Sequence, residues 1–209
     1  MRRLGASLLV FLLVGSSPGF LRAETVGYVN LGDPKSAEQE APILQAGHTP
    51  VAIRDLSQAS LDGIDILWIV APAGLTVPEF TASREKVSAF TRGGGALIVH
   101  DPRGEGTPTL IPGAGSVQIE VSSGVTGVEV ATPTLVSDGP AGVLGGSSML
   151  SVGRLDRYAR SESLPGDAVA VLHRAHRLLE IVDFAHPHGS GFVYFSLIPP
   201  HAFLDPNLS

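Results

Sequence analysis

Two apolar runs joined by one helical stretch constrain this chain most. Residues 64–71 read IDILWIVA and residues 96–101 read ALIVHD, each nearly continuous in aliphatic or aromatic side chains. Runs of that kind suit strands covered on both faces, as in a parallel sheet, and parallel neighbours need a crossover between them. The intervening residues supply one. Val77 and Phe80 precede, and Val87 and Phe90 fall within, a helical pattern over 81–92. Gly93, Gly94 and Gly95 end it, because glycine takes the left-handed cap without steric cost. Upstream, residues 26–30 and 49–54 read as two further strands. Residues 35–46 are compatible with a helix that Pro42 should break or shorten, and residues 56–61 with a short helical turn. Four strands alternating with helical segments predict a doubly wound α/β sheet, mostly parallel and flavodoxin-like, with helices on both faces and right-handed crossovers.

The character changes over residues 102–153. This stretch is rich in Gly, Pro, Ser and Thr, with β-prone pieces at 117–121 and 128–130, and it lacks the apolar residues for a core of its own. It reads as a β-rich insertion within a single domain spanning 24–209. Residues 168–173, 177–184 and 191–198 then give three strand-like runs, joined by links short enough for antiparallel neighbours.

Residues 1–23 carry Arg2 and Arg3, a seven-residue apolar run from Leu8 to Val14, and the helix breakers Gly15 to Gly19. That is the layout of a secretory signal peptide, with cleavage expected after Ala23, and the run is too short to span a bilayer. The expected product is an exported protein, periplasmic or extracellular, with no membrane span. Losing three arginines and no acid moves its formal charge from -6 to -9. With no basic tract, nucleic acid is excluded as a natural partner. The chain has no Cys, which rules out a disulfide scaffold, a thiolate metal site and a cysteine nucleophile.

The run IDILWIVAPAG, the following helix and AFTRGGGALIVHD together resemble the class I glutamine-amidotransferase-like superfamily, including ThuA-like proteins. The closing HGSGFVYFSLIP and the stretch VATPTLVSDGPAGVL resemble segments of its exported bacterial members. The resemblance implies a flavodoxin-like sheet and, in catalytic members, a Gly-x-Cys-x-Gly elbow after the fourth strand, serving a Cys-His-Glu mechanism. Here that strand runs into His100, Asp101, Pro102, Arg103 and Gly104 instead. Without a thiolate the amide-cleaving chemistry has no nucleophile, so the expectation is a non-catalytic domain that binds a small molecule or a protein partner. The competing expectation is a hydrolase, metal-assisted or dependent on His100 and Asp101.

Ligands of open α/β sheets bind at the carboxyl ends of strands, which makes His100, Asp101 and Arg103 the candidate ligand-binding residues. Against this, Asp before Pro is a common way to leave a strand. His173, His176, His186 and His188 are candidate metal ligands, since neutral imidazole suits zinc, copper or nickel. The eight-residue strand expected between the two pairs would hold them roughly 26 Å apart, too far for one shared site. No cofactor is expected beyond a possible divalent metal there. Gly93–Gly95 precedes a strand and is no phosphate loop. Ser190 lies between two glycines and reads as a hairpin turn. Trp68 reads as core, and the cluster from Arg154 to Arg160 as a solvated basic face.

Overall fold

The computed structural model describes residues 23–32, 37–104, 110–131 and 150–200. Of the expected signal segment, residues 1–23, all but Ala23 lie outside them. The two apolar runs become β3 (Ile66–Val70) and β4 (Ala96–His100), buried along their whole length and paired in parallel, Ile66 opposite Ala96 through Val70 opposite His100. The crossover between them is α2 (Pro78–Arg92). It starts three residues earlier than the pattern predicts because Pro78 suits the first helical turn, where a missing N–H costs nothing. Gly94, at φ +112°, takes the positive-φ conformation after α2, and a Cβ on Gly95 would overlap the Phe90 ring.

On the other side of β3 lie β1 (Thr25–Asn30) and the edge strand β2 (Thr49–Ala52), both parallel to it. The connecting helix α1 (Ala37–Gln45) continues through Pro42, whose carbonyl accepts the Ala46 N–H at 3.0 Å. Residues 56–61 form turns instead of a helix. Lys86 of α2 donates to three carbonyls there, those of Leu56, Ser57 and Ala59, at 2.7–3.0 Å.

The remaining strands are β5 (Ile119–Val130), β6 (Leu150–Arg160), β7 (Val169–Arg174), β8 (Arg177–His188) and β9 (Gly191–Ser196). The sheet runs β2-β1-β3-β4-β9-β8-β6-β5-β7. Its first five strands are parallel, and counted along the chain their order is 2-1-3-4-5, the flavodoxin-like doubly wound order. The other four are antiparallel to their neighbours. Since β7 also pairs with β8, β5, β6, β7 and β8 pair in a closed circuit, which leaves β2 as the open edge. The expected insertion therefore contributes β5 and the start of β6 to the sheet.

Two differences from expectation matter for the site. Among the described residues α1 and α2 are the α-helices of more than one turn, beside a short 3-10 turn at Ser161–Ser163. Ile43 of α1 packs with Tyr28 and Trp68, while Phe80 and Val87 of α2 pack with Leu67, Val99 and Phe195, whose side chains alternate with the first set along the strands. Second, β8 runs on to His188, so His186 and His188 lie in a strand and the hairpin link is only Gly189 and Ser190. Pro187 is tolerated because it sits opposite Phe192 close to the strand end.

Candidate functional site

Strand register decides which polar side chains meet. Ser196 pairs with His100 on one side and with Asp183 on the other, and partners in register share a face. Tyr194, two residues earlier on β9, shares that face too. The result is a fully or almost fully buried polar group at the carboxyl ends of β4 and β9. The Asp183 carboxylate accepts the Tyr194 hydroxyl at 2.6 Å and the Ser196 hydroxyl at 2.8 Å. His100 Nδ1 lies 2.8 Å from the Ile198 carbonyl oxygen, and its ring is tilted against Trp68 and Tyr194 at centroid distances of 6.1 and 6.4 Å. A carbonyl accepts, so Nδ1 carries the proton.

Burial sets the protonation of this group. It pushes the Asp183 carboxyl up to about 7, against the pull of the Tyr194 and Ser196 hydroxyls, which favour the carboxylate. It pushes His100 down to about 4, with the Ile198 carbonyl acting in the other direction. Tyr194 is raised by burial and by the neighbouring Asp183.

Asp101 has a different job. Its N–H donates to the Ser196 carbonyl at 2.9 Å, and its carboxylate accepts the backbone N–H groups of Gly104 at 2.9 Å, Arg103 at 3.1 Å and Leu75 at 3.4 Å. The carboxylate thus closes its own turn and ties it to the loop after β3. Arg103 is exposed beside it. Next to this turn is a groove of about 250 Å³ lined by Pro102, Leu197 and Pro199 from the sheet edge and by Arg154, Asp156 and Arg157 from β6. The basic cluster read as a solvated face thus forms one wall of a concavity at the strand ends.

The late histidines are elsewhere. His186 pairs with Val193 and lies on the α2 side of the sheet, stacked on Phe184 at 6.2 Å. His188, opposite Gly191 at the start of β9, is one strand length from His100, about 16 Å at 3.3 Å per residue. His173 is buried, with Nδ1 2.9 Å from the Arg174 carbonyl and 3.9 Å from Glu129, while exposed His176 reaches the same Glu129 at 3.1 Å. Among the described residues no three His, Asp or Glu side chains converge as a metal site. The structure joins His100 to Asp183, Tyr194 and Ser196, a grouping that sequence reading did not foresee. They lie far along the chain, and a lone Asp inside an apolar strand run was the only available signal.

No protein-family model matches the chain, and no curated protein matches it in sequence. Solved structures do resemble it. A protein described as a GMP synthase subunit, from Thermoplasma acidophilum, superposes with a TM-score of 0.56 at 13% identity, over 86% of this chain and 85% of that one. A glutamine amidotransferase from Thermotoga maritima gives 0.55 at 7% identity, over 84% and 75%. PurLQS from the same organism gives 0.55 at 15%, over 90% and 92%. At these identities the likeness shows the fold, an amidotransferase-like α/β sheet, and nothing finer.

Proposed function

We propose that this chain is an exported, non-catalytic amidotransferase-like domain that binds, at the carboxyl edge of its parallel sheet, a ligand carrying an anionic group. One observation carries the reading. Where the superfamily resemblance expects a cysteine elbow, the chain has Asp101, fully buried, its carboxylate occupied by backbone N–H groups of its own turn and of the loop after β3. A carboxylate so engaged holds the shape of the edge. The groove beside it offers Arg154 and Arg157, whose planar forks suit carboxylate or phosphate, with Asp156 to select against ligands of uniform negative charge. Fold alone does not determine activity, and the absence of any Cys leaves the amide-cleaving route without its nucleophile.

The hydrolase reading through His100 and Asp101 finds no comparable support, since both side chains are fully buried. Export rests on the layout of residues 1–23. The test is a thermal-shift and calorimetric screen of the purified chain against small carboxylates and phosphate esters, beside an assay for ammonia release from glutamine. The expected result is a ligand whose affinity drops at least about tenfold in Arg154→Ala/Arg157→Ala, the loss of one charge-assisted contact. Glutamine turnover, or ligand binding indifferent to that double variant, would overturn the proposal.

A further inference from the structure

A second concavity lies on the α2 side of the sheet. Arg84, Ser88 and Arg92 are spaced i, i+4, i+8 along α2 and therefore form one stripe. The stripe forms one wall of a cleft of about 290 Å³, and the segment from Leu110 through Gly115 forms the other. His188 of β8 lies behind Ser88, its Nε2 3.2 Å from the Ser88 hydroxyl. The carboxyl-edge groove is lined by none of these residues.

Several features make the cleft a built one. Gly113 has φ +77°, and a Cβ there would lie 2.9 Å from the His186 ring and 3.0 Å from His188 Nδ1, so the wall closes onto both imidazoles only because this residue is glycine. The hairpin that carries His188 is clamped to the end of α2. Ser190 N–H donates to the Arg92 carbonyl at 3.1 Å, and a Cβ on Gly191 would overlap the Thr91 and Gly95 carbonyl oxygens. His186 Nε2 is buried against the same wall without a hydrogen-bond partner. Among the described residues neither the Arg84 nor the Arg92 guanidinium makes an ion pair or hydrogen bond; both are exposed, and Glu85 is the one acid lining the cleft.

We propose that this cleft binds a tetrahedral oxyanion, a phosphate group either free or carried as a monoester, between the Arg84 and Arg92 guanidiniums, with Ser88 as its polar floor and His188 holding the Ser88 hydroxyl from behind. The helical rise separates the two arginine Cα atoms by about 12 Å, a span two extended guanidiniums can close over an anion centred at Ser88. Each fork presents paired donors to phosphate oxygens. The Ser88 and His188 pair is a binding pair and not a hydrolytic dyad. Ser88 sits inside a helix, and the His188 ring faces Gly113 where an orienting acid would be needed.

The test is proton NMR of the His188 ring in the full chain, titrated with inorganic phosphate and, separately, with glycerol 3-phosphate. The expected result is a saturable shift with a dissociation constant of about 1 mM or tighter, accompanied by an upward move of the His188 titration, because a bound anion favours imidazolium. Saturation by both probes identifies the oxyanion itself as the ligand, and saturation by the ester alone identifies a monoester. Arg84→Ala and Arg92→Ala, both at exposed positions, should each weaken binding about tenfold, whereas Arg154→Ala should leave it unchanged. Failure of both probes to saturate, or an equal response in the Arg84→Ala/Arg92→Ala variant, overturns the proposal. Neither outcome bears on the carboxyl-edge groove, whose own variants test it separately.

Discussion

At the residue scale, the buried pair formed by Asp183 and His100 has opposite pH dependences that conceal each other. Folded Asp183 holds its proton up to about 7, while in the unfolded chain it ionises near 3.8. Between those values the folded state binds more protons, so this residue makes stability fall as pH rises. His100 is neutral above about 4 when folded and charged below 6.5 when unfolded. Over that window the unfolded state binds more protons, so this residue makes stability rise with pH. Each effect is on the order of 3 to 4 kcal/mol over its range, and from about 4 to 6.5 they largely cancel. Asp183→Asn should therefore expose a gain in stability with rising pH, and His100→Gln a loss. Urea unfolding midpoints at several pH values between about 4 and 7 measure both, and two variants with the wild-type slope would refute the assignment. The sequence placed His100 and Asp101 at a strand end correctly, because an apolar run followed by Asp-Pro marks that end. It could not show that Ser196 would sit between His100 and Asp183, since the register of β9 on β4, with His100 opposite Ser196, is set only by the assembled sheet.

At the scale of elements, alternation and apolar runs revealed the parallel half, and they failed where strands cross polar sequence. β6 runs through Arg154, Asp156, Arg157 and Arg160, residues that signal a solvated surface. It is a strand because β5 and β8 pair with it on either side. Buried Arg174 holds the closed circuit of antiparallel strands together. It meets Glu180 of β8 at 2.8 Å, donates to the Ser122 hydroxyl at 2.6 Å and to the Ser123 carbonyl of β5, and lies 5.4 Å over the Tyr158 ring of β6. One side chain thus touches three of the four strands and belongs to the fourth. Arg177 meets the same Glu180 at 3.1 Å but is 40% exposed. Arg174→Met should destabilise the fold by about 2–3 kcal/mol, since it removes from a fully buried position the charge-assisted hydrogen bonds to Glu180, to the half-buried Ser122 hydroxyl and to the Ser123 carbonyl. Arg177→Ala should cost no more than about 1 kcal/mol. Equal losses in chemical denaturation would show that burial does not distinguish the two ion pairs.

For the whole molecule, the question is where the folding unit begins. β1 is an interior strand, paired with β2 and β3, and its Val26, Tyr28 and Val29 are buried in the two core clusters that line opposite faces of the sheet. Its amino end is closed by residues that follow Ala23. The Glu24 N–H donates to His48 Nδ1 at 3.1 Å, and the Thr25 N–H donates to Asp65 at 2.8 Å. A chain starting at Ala23 therefore keeps every β1 register pair. If residues 1–23 are an export address removed on maturation, such a chain, which keeps only the last of them, should match the full chain in unfolding free energy to within about 0.5 kcal/mol, the scale of changes that touch no core contact. Removing five residues more deletes Val26 from the core and the pairing of Thr25 with Thr49, and should abolish cooperative unfolding, because it opens a central strand and no edge strand can take its place. A full chain clearly more stable than the chain from Ala23 would mean that residues 1–22 pack on the sheet, and the export reading would fall with that result. Equal stability would leave the parallel sheet complete without them, as a processed extracellular or periplasmic domain requires.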